Sequence, residues 1–291
     1  MGGILTWPAA LSHRPILAGY GWRPHDPQPR IEMEQGPARK RRAWVASPSY
    51  ISAVWPFSLA EFELFRAWHH TALEDGAAWF RMPVFTGEDF EPCICRFRGV
   101  YQPELSGLVW MVSAEIEVRG AGFISPLDAP EAALRVWPAS IEPLPLRDGA
   151  TMTPHRPVIR TDIERGPAAA RRWFEDGPVT PHFTWVMPPD AFALFRAWYH
   201  HALRDGAAWF TMPAWVGGWH GTRRCRFYDA WEAALQPDGA WRVSASLEIR
   251  DVPYMDDAAV FLIGVLGEPS FTGLSTGIHH FVHVSYLEAA A

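Results

Sequence analysis

The sequence predicts an α+β, β-rich protein built from two tandem copies of one domain, each a twisted antiparallel sheet or small sandwich with one helix packed on it. Three observations lead there. FRAWHHTALEDGAAWF (Phe65–Phe80) returns as FRAWYHHALRDGAAWF (Phe195–Phe210), with thirteen of sixteen residues identical at an offset of 130. The period is far longer than a solenoid unit, so each copy holds its own core. After each GAAWF the apolar spacing changes from helical to alternating, the mark of half-buried antiparallel strands.

The elements follow in chain order. Each copy opens on a proline-rich stretch, Trp7 to Pro29 and Trp137 to Pro157, which suits an extended arm and not a central strand. A strand is expected over Ser49–Trp55 and over Val179–Trp185. A helix follows. Ser58 and Glu61 form a capping box in the first copy, and Pro188-Pro189-Asp190 opens the second. Phe62, Phe65, His69, Ala72 and Leu73 recur at helical spacing, and Leu64 and Trp68 widen that stripe. Gly76 and Gly206 are read as the C′ residues that stop the helices.

Strand patterning then takes over. Cys93, Cys95 and Phe97 alternate with Ile94, Arg96 and Arg98. In the last strand Trp110, Val112, Ala114, Ile116 and Val118 share one face, as do Trp241, Val243, Ala245, Leu247 and Ile249. Hairpin turns are expected at Pro103–Gly107 and Pro237–Gly239. That last strand matches at offset 131, so one residue is inserted just before it. The predicted organisation is a first repeat over 1–130, a second over 131–261 and a C-terminal extension over 262–291, whose start lies in an apolar run, Ala258 to Gly267, read as a buried strand.

Composition narrows the function. The chain has 291 residues, a formal net charge of −6, and 26 basic residues, all arginine except Lys40. That balance argues against a general nucleic-acid binder. Three cysteines cannot frame a disulfide scaffold, and a reducing compartment is expected. No apolar run reaches the ~18 residues of a membrane span, and the first residues lack the basic start of a secretory signal.

The search for chemistry finds little. No phosphate-binding loop, dinucleotide fingerprint, nucleophile elbow or zinc-protease helix is present. His69-His70 and His200-His201 point about 100° apart on a helix, and His69 aligns with Tyr199, so a metal pair is not expected. Cys95 and Cys225 share one inward strand position and read as small buried groups, while Cys93 has no matching cysteine. Glu115 and Glu117 share a strand face, but their counterparts are Ser246 and Glu248, so they read as a charged outer face. Neither a catalytic set nor a cofactor is expected.

Sixteen tryptophans need an account. Those kept in both copies read as core: Trp68 with Trp198, Trp79 with Trp209 (each followed by Phe80 or Phe210), and Trp110 with Trp241. Trp7 and Trp137 match as well. Trp22, Trp215, Trp219 and Trp231 have no match and are open to exposure, at a protein interface or against sugars. The run Arg39, Lys40, Arg41, Arg42 reads first as a solvated segment. Its functional reading is pairing with acidic groups of a neighbouring subunit, or facing a passage for DNA.

Together these residues resemble a family. Trp7-Pro8, the Arg30 to Pro37 segment with its following arginine pair, Phe62/Phe65/Trp68, Gly76 to Pro83 and Trp110 to Glu117 are similar to virion tail proteins of long-tailed bacteriophages and prophages. The resemblance spans nearly all of residues 1–250. It implies a tail-tube-like β-sandwich or split barrel with a flanking helix, built into rings. The implied role is a structural tail-tip protein, of distal-tail or baseplate-hub type, that joins the tail tube to baseplate and fibre proteins. It would be assembled in the bacterial cytoplasm, leave a channel for DNA, and insert into no membrane. Its implied partner is itself, as a trimer giving a pseudo-six-fold ring or as a hexamer. The alternative is a carbohydrate-binding tail module that recognises the host surface through Trp215 and Trp219.

Overall fold

The structure is a computed structural model that describes residues 4–31, 38–44, 47–87, 89–147, 149–154, 158–161, 169–172, 178–216, 219–250 and 252. The Ala258–Gly267 run, the C-terminal extension and the Gly36-Pro37 and Gly166-Pro167 pairs lie outside them. The described residues belong to one compact unit, Met1–Val252, which holds the first repeat and residues 131–252 of the second.

The first repeat runs β1 (Leu5–Thr6), β2 (Gly21–Pro24), β3 (Arg30–Ile31), β4 (Arg39–Lys40), β5 (Ser49–Phe57), α1 (Leu59–Thr71), β6 (Phe80–Phe85), β7 (Phe90–Phe97), β8 (Gln102–Ser106) and β9 (Val109–Arg119). The second runs β10 (Thr151–Thr153), β11 (Val158–Thr161), β12 (Ala169–Arg172), β13 (Thr180–Met187), α2 (Pro189–His201), β14 (Phe210–Val216), β15 (Trp219–Phe227), β16 (Glu232–Leu235) and β17 (Trp241–Arg250). The described residues are thus β-rich α+β, with two α-helices and a large mixed sheet.

Pairing repeats with the sequence. The long antiparallel partners β5 and β9 place Trp55 opposite Val112, and β13 and β17 place Trp185 opposite Val243. Strand β1 runs parallel to β6 with Leu5 opposite Phe80, and a single parallel bridge joins Val136 to Thr211 at the matching place. Along one edge β9 meets β5. Its other edge is shared by β7, over Ile116–Arg119, and β8, over Val109–Ser113, so the sheet forks there. Strand β17 forks in the same way between β15 and β16.

Helix α1 starts as its sequence dictates. Ser58 Oγ accepts from the Glu61 N–H, and the Glu61 carboxylate accepts from the Ser58 N–H at 2.7 Å; the Ser58 side chain first, and then its N–H, hold this carboxyl below its ordinary pKa. Helix α2 starts on Pro188-Pro189 with no side-chain cap. The helices end earlier than the glycines suggest. After Thr71, the chain passes through Glu74, Asp75 and Gly76, all at positive φ, and Arg204, Asp205 and Gly206 do the same. Left-handed backbone at two non-glycine residues costs about 1–2 kcal/mol each. The turn returns a contact: Asp75 meets His70 Nδ1 at 2.8 Å, and Asp205 meets His200 Nδ1 at 2.8 Å. Gly206 closes the turn where a Cβ would sit 2.8 Å from the Tyr199 hydroxyl.

One hydrophobic core runs through both repeats and is largely aromatic. Trp7 lies against Trp55 at 5.6 Å and Trp68 at 5.3 Å, and Trp137 lies against Trp185 at 5.2 Å and Trp198 at 5.4 Å. The indole N–H of Trp7 donates to Leu11, and that of Trp137 to Ile141, so the opening arms are pinned into the core. Four expectations need correction. The Trp7 to Pro29 stretch is not only an arm: its Gly21–Pro24 segment is β2, which lies between β5 and β16 because the second repeat offers it a further strand edge. Pro103 is not a turn residue but lies inside β8, and the first hairpin turn is at Gly107-Leu108. Leu64 is exposed, because the α1 stripe buries only Phe62, Phe65 and His69. Glu117 and Glu248 are buried instead of facing solvent, because each is covered by an arginine, Arg96 and Arg226, at 2.5 Å.

Candidate interface

The repeats meet at a joint built mainly from strand edges. Strand β2 pairs with β5 on one side and with β16 on the other, so the ladder runs β9-β5-β2-β16-β17-β13 without a break. Ala233 lies opposite Trp22 and Ala234 opposite Gly21. The Leu235 N–H donates to the Tyr20 carbonyl at 2.9 Å, which orients odd-numbered residues of β16 toward β2. Trp22 is buried at this joint, and Arg23 reaches Glu232 at 3.7 Å.

Side chains then lock the joint. Arg196 on α2 is 4% exposed. It donates to the Thr86 carbonyl and, at 3.3 Å, to that of Gly122, and its guanidinium lies 4.2 Å from the Trp22 ring centroid. Burial lowers its pKa to about 10, which leaves it charged at neutral pH. Trp241 stacks on Phe192 at 4.2 Å and is capped by Tyr20 and Phe85 of the first repeat at 5.9 and 6.0 Å. The β6–β7 turn presses close, since a Cβ on Gly87 would sit 2.9 Å from Phe192.

The first repeat's arm, which carries β3 and β4, completes the contact. Arg42 pairs with Asp205 at 3.1 Å and donates to the His200 carbonyl at 3.3 Å. Gln28 donates to the Asp205 carbonyl. Lys40 donates to the carbonyls of Phe227, at 3.1 Å, and Tyr228. Desolvation lowers the Lys40 pKa to about 8. The Arg39–Arg42 run is therefore not simply solvated: two of its four residues clasp the second repeat of the same chain. Arg39 and Arg41 stay exposed. A cleft of about 680 Å³ opens beside them, lined by Lys40, Arg41, Arg42, Arg135, Arg204 and Arg224. It is a strongly cationic hollow suited to an acidic surface.

The aromatics matched between the repeats divide. Phe80, Phe210, Trp198 and Trp241 are buried, and Trp68 and Trp110 are half-buried at the core margin. Trp79 and Trp209 lie off the core. Trp79 is stacked between Arg96 and Arg119 at 4.5 and 4.2 Å, and Trp209 between Arg226 and Arg250 at 4.5 and 4.6 Å. Their place in both repeats reflects cation–π stacking over the strand that carries Glu117 or Glu248. The signal was legible: each is followed on its facing strands by arginines at alternate positions. Trp22 and Trp231, left open to exposure, are buried, because the inter-repeat joint covers the first and α2 the second. The side chains of Trp215 and Trp219 lie outside the described residues.

Among the described residues no three His, Cys, Asp or Glu side chains gather as a metal site, and no helix is long and apolar enough to cross a membrane. Cys93, Cys95 and Cys225 are free and buried, and burial raises the thiol pKa of all three, Cys93 to about 11 and Cys225 to about 12.

No protein-family pattern matches the chain, and no curated protein does. Among solved structures, a chain of the virion of a native gene transfer agent particle is similar at 15% identity and a TM-score of 0.31. That likeness covers 42% of this chain and all of the other.

Proposed function

We propose that this protein is a structural, ring-forming component of a bacteriophage-type tail tip. In this reading three chains place six similar repeats around a central channel. The ring joins the tail tube to baseplate and fibre proteins and leaves a passage for DNA. No catalytic step is part of its work.

One observation carries the reading. Among the described residues, the strand edges that join the two repeats recur without a partner strand at the two ends of the ladder β8-β9-β5-β2-β16-β17-β13-β10. Strand β16 is joined to β2, while its counterpart β8 is exposed along its whole length. Strand β10, the counterpart of β2, is exposed as well. Unlike surfaces at opposite ends make a head-to-tail contact, which closes into a ring when the rotation allows. The resemblance of the sequence to tail proteins supports setting such a ring in a virion. The cationic cleft offers acidic neighbours, or DNA in passage, a place to rest.

The test is the mass of the purified protein by light scattering across concentration, with negative-stain images. A trimer with six-lobed rings is expected. A hexamer would move the protein to a distal-tail position. A strict monomer at every concentration, with no rings seeded by tail tubes, would overturn the reading.

A further inference from the structure

The inter-repeat joint is a template for the contact between chains. We propose that β8 and the adjoining face of α1 on one copy receive β10 and the β11–β12 arm of a second copy, in the register of the internal joint. This rests on the ring reading above and names the surface and the partner.

The register transfers residue by residue. Ser113 and Ser244 sit at the same place in β9 and β17, and they pair with Gln102 and Glu232. Gln102, Pro103, Glu104 and Leu105 therefore stand where Glu232, Ala233, Ala234 and Leu235 stand. The inserted residue falls in the hairpin turn after β16, so it does not disturb this match. Ser52 and His182 sit at the same place in β5 and β13, and they pair with Gly21 and Thr151. Thr151, Met152 and Thr153 therefore stand where Gly21, Trp22 and Arg23 stand. The ladder between chains then sets Pro103 opposite Met152 and Glu104 opposite Thr151. Leu105 donates to the Ala150 carbonyl, as Leu235 does to Tyr20.

The surface around β8 shows the same docking site without its occupant. Arg66 is the counterpart of Arg196, yet its side chain is 53% exposed and pairs only along the helix with Glu63 at 2.9 Å. His70 and Asp75 hold the geometry of His200 and Asp205, 2.8 Å apart, but are mostly exposed, while the second pair lies under Arg42. Trp110 stacks on Phe62 at 4.6 Å as Trp241 stacks on Phe192, and only the second stack is capped. The donor side is also repeated. Arg160 lies opposite Ala170 in the β11–β12 hairpin, in the register of Arg30 opposite Lys40 in β3–β4. Arg172 holds the position of Arg42, and Trp215 that of Phe85.

The two joints differ in one direction. Between chains, Met152 replaces the buried Trp22. Thr153 and Gln102 replace the Arg23–Glu232 ion pair. Pro103 has no N–H to offer where Ala233 has one. Proline on an open edge also discourages indiscriminate strand pairing. The contact between chains is thus a weakened copy of the permanent one, so the chain stays dissociated when dilute and assembles when concentrated or seeded.

Two sets of variants test this in the full chain. Glu104→Cys with Thr151→Cys places cysteines at a non-hydrogen-bonded antiparallel pair, where the Cα spacing suits a disulfide. On mild oxidation this double variant is expected to give covalent dimers and trimers, with each single variant stopping at dimers. Gln102→Glu with Thr153→Arg restores the ion pair and is expected to tighten self-association about two- to fivefold, while Arg66→Ala weakens it about tenfold. If the native chain forms rings but the double-cysteine variant gives no more than the single ones, and the charge pair leaves association unchanged, the surface is wrong and the ring reading stands. If neither the native chain nor the Gln102→Glu/Thr153→Arg chain associates at any concentration or with tail-tube seeds, both fall.

Discussion

Arg226 and Glu248 form a buried ion pair at 2.5 Å, with side chains 4% and 2% exposed, and the same guanidinium donates to the Ala38 carbonyl at 2.7 Å and stacks on Trp209. One arginine thus ties β15 to β17 and both to the arm of the other repeat. Removing one partner of such a pair leaves a charge without water or counter-charge, which costs about 3–5 kcal/mol. Glu248→Gln is expected to lose stability on that scale in urea unfolding. Glu117→Gln, whose partners Arg96 and Arg119 are 38% and 53% exposed, should lose less than half as much. Equal losses would show that burial does not set the cost.

Arg196 and Arg66 offer a second contrast. Arg196→Ala strands the Thr86 and Gly122 carbonyls and removes the stack on Trp22. A loss of about 2–4 kcal/mol is expected. Arg66→Ala in the dilute chain should change stability by no more than about 0.5 kcal/mol. Thermal melts of the two variants at low concentration decide between these outcomes.

His69 is buried among Phe65, Phe97 and Tyr101, and desolvation holds its pKa below the ordinary imidazole value against the opposing field of Asp75. Below about pH 6.5 the unfolded chain takes up a proton that the folded chain refuses. Its contribution is therefore intact at pH 7 and is lost as the pH falls toward the folded value. His69→Tyr installs the residue that the second repeat carries at Tyr199. That variant is expected to flatten the fall in melting temperature between pH 7 and pH 5. An unchanged slope would assign the effect elsewhere.

The thiols of Cys93, Cys95 and Cys225 are buried, and their raised pKa values keep them protonated at pH 8. A thiol reagent at that pH should modify none of them in the folded chain and all three in guanidinium. Rapid labelling of the native protein would show that these strands open.

Ser58 and Glu61 cap α1, while α2 has no side-chain cap. Ser58→Ala should cost about 1 kcal/mol. Pro188→Ser, which creates a cap where none exists, should recover part of that amount in the second repeat. Chemical denaturation of both variants measures the difference.

Much of the fold was legible because it rests on local rules. The Ser58 capping box, the β9 and β17 alternation and the inward Cys95 and Cys225 follow from short-range periodicity, and duplication let each assignment be read twice. The places where this reasoning erred are also instructive. Matched identity suggested that Trp79 and Trp209 were core, but a residue can recur because its arginine neighbours recur. Lack of a match left Trp22 and Trp231 open to exposure, but the joint between the repeats buries Trp22 and α2 buries Trp231.

The sequence alone determined that one segment recurs at an offset of 130, where its helix and its longest strands lie, and that no familiar catalytic motif is written in it. Periodicity of 2 and 3.6 residues and an offset of 130 suffice for that, since both are properties of contiguous chain. Only the tertiary structure decided that β2, paired with β5 of its own repeat, also meets β16 of the other, and that Arg196 is buried while Arg66 is exposed. Pairing between strands more than 200 residues apart depends on which edges the fold leaves open, and no local pattern records that.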